Sequence, residues 1–375
     1  MNILHISSYY ISNRLYQQLF SHLAEHLTKQ YVYIPVKKYS SANKHLLLHN
    51  DVTLKYDPIV HKIHKVAYFS KIKKQLRGIE TFMQNNILNV DLVHAHSLFT
   101  DGGTAYLLKK KYGVKYTVSI RSTDINHFFK KAKHLRPFIY KVLKEAEKIY
   151  FISPAYKEKS SKYFPSNINN IVNDKSGILP NGISEAWLLD NKREMNEYQE
   201  PTVLFFTGAL TKRKNLITIL KAMKKSEEDN LFLKVAGNGP QLKKIKKFIK
   251  RNDLENHVEL LGYLSEDELK TAMHSADLFI LPSIKETFGI SYIEAMSRGL
   301  PIIYTKNEGV DGIFPKGHVG YSVNPYSTIE ILKAIRLIKS NYSTLSKNAI
   351  KKSRHFDWGS ISSNLKEDYT NIINR

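Results

Sequence analysis

The chain reads as an α/β protein built from two doubly wound parallel sheets. Three observations carry that expectation. Short apolar runs alternate with amphipathic stretches along nearly the whole length, and the alternation occurs twice. In addition, 375 residues exceed what one core of roughly 150–200 residues comfortably holds. With 42% hydrophobic and 24% charged residues, disordered and collagen-like chains are excluded. The absence of cysteine excludes disulfides, thiolate metal sites and cysteine nucleophiles, and it suits a reducing compartment.

In the first half the strand-like runs are Asn2–Ser7, Tyr31–Val36, Asp91–Ala95, Lys115–Ile120 and Lys148–Ser153. Arg14–Lys29, Gly103–Tyr112 and Leu135–Ala146 lie between them with helical spacing. In the second half strands are expected at Thr202–Thr207, Leu231–Ala236, Val258–Leu261, Asp277–Leu281 and Pro301–Tyr304. Helices intervene at Asn215–Lys225, Pro240–Arg251, Glu266–Ser275, Gly289–Arg298 and Thr328–Lys339. Ser265 with Glu268, and Ser327 with Glu330, are spaced to satisfy orphan helix amides reciprocally. Leu188–Pro201 is polar and aperiodic, so it reads as a linker. Asp357–Ile373 reads as a last helix with Trp358, Ile361, Leu365 and Tyr369 along one face. The expected domains are therefore residues 1–190 and 200–355.

The net charge is +23, a field that favours anionic partners. It is uneven: residues 1–190 hold 28 basic and 13 acidic side chains, residues 191–375 hold 29 and 21. Lys37–Arg77 carries 10 basic against 2 acidic residues, and Lys109–Lys148 carries 12 against 3. Around Phe69, Ile72, Leu76 and Ile79 the apolar residues keep helical spacing, with Lys71, Lys73, Lys74 and Arg77 supplying charge. Such a stretch suits an anionic membrane surface; the alternative is a core-facing stripe with lysines in water. Nucleic acid is not the expected partner, because no helix-turn-helix, RNA-recognition or zinc-finger pattern is present. Met1–Ser7 carries no basic leader, and no apolar run approaches the roughly 18 residues of a spanning helix, so a cytoplasmic protein is expected.

The densest chemical signal is Leu281-Pro-Ser-Ile-Lys-Glu-Thr-Phe-Gly-Ile-Ser-Tyr-Ile-Glu294, followed by Ala-Met-Ser-Arg-Gly-Leu-Pro301. A buried strand ends at Pro282, a polar loop follows, and a helix begins near Gly289, where the backbone can approach a ligand closely. Glu286 and Glu294 are carboxylates that can accept paired hydroxyls, as a nucleotide sugar offers on its hexose and ribose. The bare Glu-x7-Glu spacing is equally compatible with helix capping and surface charge.

With its flanking residues, this block resembles glycosyltransferase family 4, retaining nucleotide-sugar transferases of GT-B fold. The likeness continues in Gly208-Ala-Leu-Thr-Lys-Arg-Lys-Asn215, Val235-Ala-Gly-Asn-Gly-Pro240, Leu261-Gly-Tyr-Leu264 and Ala276-Asp-Leu-Phe-Ile-Leu-Pro-Ser283. In the first half Asp91-Leu-Val-His-Ala-His96 and Leu179-Pro-Asn-Gly-Ile183 are similar to family patterns. The resemblance implies two Rossmann-like domains facing a central cleft, with the terminal helix (357–375) packing back on the first, acceptor-side domain. It implies that Glu286 contacts the transferred sugar and that Thr287, Phe288, Gly289 and Ile290 lie along the donor. Glu294 would hold the ribose, Gly262 and Tyr263 would lie near the base, and Lys214 would face the diphosphate. A UDP-linked donor, a lipid-linked or oligosaccharide acceptor, and transfer without an obligatory metal are implied with it.

Three departures stand out. Where the family usually has arginine after the glycine, this chain has Ala209, leaving Arg213 or Lys212 to supply the second charge beside Lys214; the five fixed donors of arginine favour Arg213. Arg121 replaces the usual histidine, either lining the site or pairing with Asp124. The usual glycine pair after the first strand is absent from Ser7-Ser-Tyr-Tyr-Ile-Ser-Asn-Arg14. His94 and His96 alternate along a strand end without a third ligand at metal spacing, so no metal site is expected. The expected activity is hexosyl transfer in cell-surface polysaccharide or glycolipid assembly, at the inner face of the plasma membrane. An epimerase, a glycosyl phosphorylase or a non-catalytic sugar-binding subunit on the same fold are the alternatives.

Overall fold

The structure is a computed structural model that describes residues 1–12, 14–38, 45, 47, 49–60, 67–84, 89–189, 200–226 and 230–375. Most of the expected linker at 188–201 lies outside these residues. The chain divides into two compact units. One comprises Met1–Ile152, Lys157–Gly182 and Trp358–Arg375; the other comprises Ser153–Tyr156 and Ile183–Asp357. Among the described residues, no helix is long and apolar enough to cross a membrane.

Each unit holds one all-parallel sheet. In the first, β1 (Asn2–Ile6), β2 (Lys29–Pro35), β3 (Val52–Asp57), β4 (Leu92–Ala95), β5 (Tyr116–Ile120), β6 (Lys148–Phe151) and β7 (Ser176–Ile178) are ordered β3-β2-β1-β4-β5-β6-β7. In the second, β8 (Thr202–Thr207), β9 (Leu231–Ala236), β10 (Val258–Gly262), β11 (Leu278–Ile280), β12 (Ile302–Thr305) and β13 (Gly320–Val323) are ordered β10-β9-β8-β11-β12-β13. Strand order therefore reverses between β1 and β4, and again between β8 and β11. In doubly wound sheets a ligand crevice forms at such a reversal, beyond the carboxyl ends of the strands.

Central strands are buried on both faces, which is why they read as apolar runs: β4, β5 and β12 contain buried residues only. Three strands have no counterpart in the sequence expectation, namely β3, β7 and β13. All three are sheet edges. β3 has one buried residue out of six and β7 has none, so neither carries the continuous apolar signal. Helix Tyr342–Ser353 was also not foreseen, because its buried face mixes Leu345 and Ala349 with Ser346 and Ser353.

The cap at Ser265 is fully reciprocal with Glu268. The one at Ser327 is half made: its hydroxyl accepts from the Glu330 amide, but the Glu330 carboxylate turns to the amide of Asn324 at 2.8 Å. Helix Trp358–Ile373 belongs to the first unit and buries Trp358, Ile361, Leu365, Tyr369 and Ile372 in one cluster with Tyr16, Leu19, Phe20 and Leu23 of helix Leu15–Ala24. Asp368 ties it to β6, accepting from Lys148 Nζ at 2.5 Å and from the Tyr150 hydroxyl at 3.0 Å.

Candidate functional site

In the second unit, the loops leaving β8 and β11 meet where strand order reverses. Gly208 follows β8 at φ +145°, a conformation that favours glycine, and a Cβ there would lie 3.4 Å from Lys214 Cε. The Lys214 stem thus rests on the glycine and its ammonium is carried to the β11 loop. There Nζ meets Glu286 Oε2 at 2.7 Å, and Ser283 Oγ donates to the same oxygen at 3.0 Å. Arg213 Nη1 stands 3.7 Å from Glu286 Oε1 and donates to the Lys285 carbonyl at 2.9 Å. Glu286 and Lys214 are nearly enclosed, with side chains 8% and 12% exposed, whereas Arg213 is half exposed. Two cations therefore converge on one enclosed carboxylate.

The backbone around this pair is fixed from several sides. Asn215 adopts φ +61°, and its Nδ2 donates to the carbonyls of Pro282 (3.0 Å) and Pro325 (2.6 Å), locking the β8 loop to the end of β11. Glu308 Oε2 accepts from the Glu286 amide at 3.3 Å, and the Gly309 amide donates to the Glu286 carbonyl at 3.0 Å. Gly289, at φ +84°, starts helix Ile290–Ser297, and a Cβ there would overlap the Tyr292 ring. The Tyr292 hydroxyl in turn holds the Leu281 carbonyl at 2.5 Å.

Glu286, Lys214, Arg213 and Thr287 come together here, with Gly289 and Ile290 directly following. Phe288 contributes only backbone. Its side chain is 1% exposed and packs toward Phe356, because the tight turn at Gly289 sends the preceding ring into the core. Glu294 lies one helical turn further on. Burial, with Glu266 adding to it, raises its carboxyl to about 7. Gly262, at φ +73° with open space where a Cβ would stand, ends β10, and Tyr263 after it is 85% exposed. Ser283, Asn215 and Glu308 were given no role in the sequence expectation. The first two lay inside the motif blocks, while Glu308 carried no signal.

In the first unit, Arg121 follows β5. Its guanidinium lies over the Tyr16 ring at 5.3 Å, and Nε donates to the His96 carbonyl at 3.2 Å. The side-chain pairing with Asp124 considered from sequence is replaced by a backbone contact: Asp124 accepts from the amides of Arg121, Leu98 and Phe99. Burial raises the Asp124 carboxyl to about 6 despite those bonds. At the β1–β4 reversal the Ser8 hydroxyl and amide donate to Asp101, whose carboxyl burial also raises to about 6.

A third histidine does accompany His94 and His96. His5 comes from β1, and one ring nitrogen of each lies within 4.8 Å of the others. Sequence spacing missed it because β1 and β4 are neighbours only in the sheet. The rings form a hydrogen-bonded core: His5 Nδ1 meets His96 Nε2 at 3.1 Å, and His94 engages the Tyr369 hydroxyl (2.5 Å) and Ser119 Oγ (2.9 Å). His94 would have to give up Tyr369 or Ser119 to ligate a metal. Burial lowers all three well below the ordinary 6.5, His5 to about 3, so they are neutral.

Residues 189–356 match the sequence family described as Glycosyl transferases group 1. An uncharacterized glycosyltransferase of Methanocaldococcus jannaschii is 25% identical over 321 residues, covering 83% of this chain and 85% of its own. Sucrose-phosphate synthase from Thermosynechococcus elongatus shares the fold with a TM-score of 0.74 at 16% identity, over 100% of this chain and 99% of that one. HepE of Anabaena in complex with UDP does so with a TM-score of 0.73 at 15% identity, over 99% and 100%. The matched residues contain the whole Lys214–Glu286 assembly, and over them the chain is similar to the group 1 glycosyltransferases; the protein is a glycosyltransferase that takes its sugar from a nucleotide donor.

Proposed function

We propose that the enzyme is a family 4 transferase moving a hexose from a UDP-sugar to a hydroxyl of a lipid-linked or oligosaccharide acceptor, with retained anomeric configuration. The observation that carries this reading is the ion pair between Lys214 and Glu286 across the β8–β11 reversal, with Arg213 beside it. A nucleoside diphosphate competes for the two cations. When Lys214 turns to the phosphate oxygens, Glu286 is released to accept a hydroxyl of the transferred sugar while Ser283 still holds it in place. Fixed positive charge at the departing diphosphate stabilises the transition state without a proton transfer to the leaving group. Lys214 and Arg213 supply that charge, so no divalent metal is required. The leaving phosphate oxygen takes the acceptor proton on the same face, which is the route to retention.

The ribose is assigned to Glu294, the base to the exposed Tyr263 beside Gly262, and the acceptor side to Arg121 in the first unit. The basic surplus of residues 1–190 supports a peripheral position on an anionic membrane facing the cytoplasm, with a lipid-linked acceptor of polysaccharide or glycolipid assembly.

The test combines binding and product analysis. In a thermal-shift screen, UDP-sugars should raise the melting temperature more than GDP- or ADP-sugars. Proton NMR of the product from the preferred donor should show the donor's anomeric configuration, unchanged by EDTA. An inverted anomer would exclude the retaining route. Loss of activity in EDTA would exclude the metal-free one, and an epimerised nucleotide sugar without transfer would convert the enzyme to an epimerase.

A further inference from the structure

A groove of about 700 Å³ lies in the first unit between the edge strand β3 and helix Tyr68–Met83. Lys55 and Asp57 line it from the strand, and Phe69, Lys73, Lys74 and Arg77 line it from the helix. Among the described residues, four cations against one carboxylate leave the lining at +3. The carboxylate is also occupied: Asp57 accepts the Tyr33 hydroxyl, and a Cβ on Gly78 would overlap both groups, so the helix sits directly on that pair. An entering anion therefore meets the net positive charge of the described lining.

The groove is not uniformly polar. Ile59 forms part of its wall, and Phe69 at its rim is 48% exposed. Phe69 is held in place by Tyr68 and Phe138, each with ring centroids at 5.2 Å, so the ring stays at the surface as a fixed apolar edge. A cationic hollow bordered by an exposed aromatic edge matches a ligand that is anionic at one end and apolar at the other.

Helix Leu242–Arg251 in the second unit gives the contrast. Its sequence LKKIKKFIKR is more basic, and like Tyr68–Met83 it buries an apolar stripe, here Ile245 and Ile249. Net charge alone would favour Leu242–Arg251; the groove and its aromatic rim are what single out Tyr68–Met83.

We propose that this groove is a seat for the phosphate headgroup of an anionic phospholipid, with Phe69 at the boundary of the acyl region. The inference deepens the membrane reading above and rests on it. It replaces a diffuse attraction by one defined site.

The experiment is sedimentation of the full chain with vesicles of phosphatidylcholine alone or with added phosphatidylglycerol. Basic residues at such a surface each strengthen binding about fivefold, so Lys73→Glu/Arg77→Glu should weaken binding to the anionic vesicles by about twentyfold or more. Lys244→Glu/Lys247→Glu makes the same charge change on helix Leu242–Arg251 and should weaken binding by less than about threefold. Lys73→Gln/Arg77→Gln removes charge without reversal, and melting temperatures establish that each variant is folded. Equal losses in both double variants would overturn the groove in favour of diffuse charge. Saturable binding of glycerol phosphate without vesicle binding would overturn the lipid assignment. Transfer from a UDP-sugar to a water-soluble acceptor, measured on the same variants, should be unchanged. If the wild-type enzyme transfers nothing yet vesicle binding maps to the groove, the functional proposal fails and the groove stands.

Discussion

The two sheets reverse strand order in the same way, yet their reversal points are closed by opposite chemistry. Between β8 and β11, Lys214 crosses to Glu286 as an enclosed ion pair with Arg213 half exposed beside it. Between β1 and β4, the Ser8 hydroxyl crosses to Asp101 above a layer of neutral histidines. The first closure holds charge that an incoming anion can take over, because a diphosphate offers Lys214 a partner as good as the one it leaves. The second pairs Asp101 with Ser8 and His5 with His96, and Asp124 with backbone amides, while Ser7 Oγ and His96 Nδ1 make no hydrogen bond among the described residues. On the proposed function, one fold plan therefore yields a site poised for a charged donor in one unit and a largely neutral scaffold in the other.

Breaking the charged closure should produce the largest effects. Glu286→Gln should lower kcat by about a thousandfold, as loss of a group acting on the reacting sugar does, with UDP affinity retained because Lys214 remains. A near-wild-type rate in single-turnover assays would show that the ionised carboxylate is not used. Lys214→Met should cost about a hundredfold in kcat and weaken UDP binding as well, since it removes charge from both ground and transition state. Should UDP affinity stay constant in Lys214→Met, the diphosphate lies elsewhere and the contrast between the two reversals loses its basis.

What was legible in the sequence follows the same contrast. The charged closure could be read because its parts are packed into two contiguous blocks, Gly208–Asn215 and Leu281–Glu294, each a strand end followed by a loop and a helix start. The neutral closure could not. Ser8 and Asp101 are 93 residues apart, and His5 and His96 are 91 apart. Only the parallel pairing of β1 with β4, which sets His5 beside His94, joins them. The strands that escaped reading, β3, β7 and β13, are edges whose partly buried residues dilute the apolar pattern. The direction of the Phe288 side chain was likewise set by the turn at Gly289 and not by its place in the motif.

The neutral closure can be probed with acid. In the unfolded chain three histidines bind protons as pH falls through 6.5, while in the folded unit they resist, His5 down to about 3. Stability from this source is complete above pH 6.5 and is lost below it. Asp101 and Asp124 act in the opposite sense. Folded, they take protons at about 6; unfolded, near 3.8, so folding gains two protons between those values. Three histidines outnumber two carboxylates, so the unfolding constant should rise as pH falls below about 6. Trp358 reports on this unit once Trp187 is replaced by Phe. Asp101→Asn removes one compensating proton and should steepen that rise. A stability flat in this range would mean that the histidines are already charged in the folded state.

The smallest expected effect tests whether the charged reversal extends along helix Ile290–Ser297. Glu294 has a carboxyl raised to about 7, first by burial and then by the nearby Glu266. A carboxylate accepts two ribose hydroxyls only when ionised. Its ionised fraction falls from about one half at pH 7 to about one tenth at pH 6, so donor affinity should fall about fivefold over that interval. A UDP-sugar is the right probe, because its esterified diphosphate has no proton to exchange near pH 6, unlike UDP. In Glu294→Gln the affinity should be uniformly weak and independent of pH. Glu266→Gln removes the neighbouring charge and should move the midpoint toward lower pH, which a purely structural role for Glu294 would not do. If wild-type affinity is level from pH 8 to 6, Glu294 does not bind the ribose as a carboxylate, and the donor chemistry of this unit ends at the Lys214–Glu286 pair.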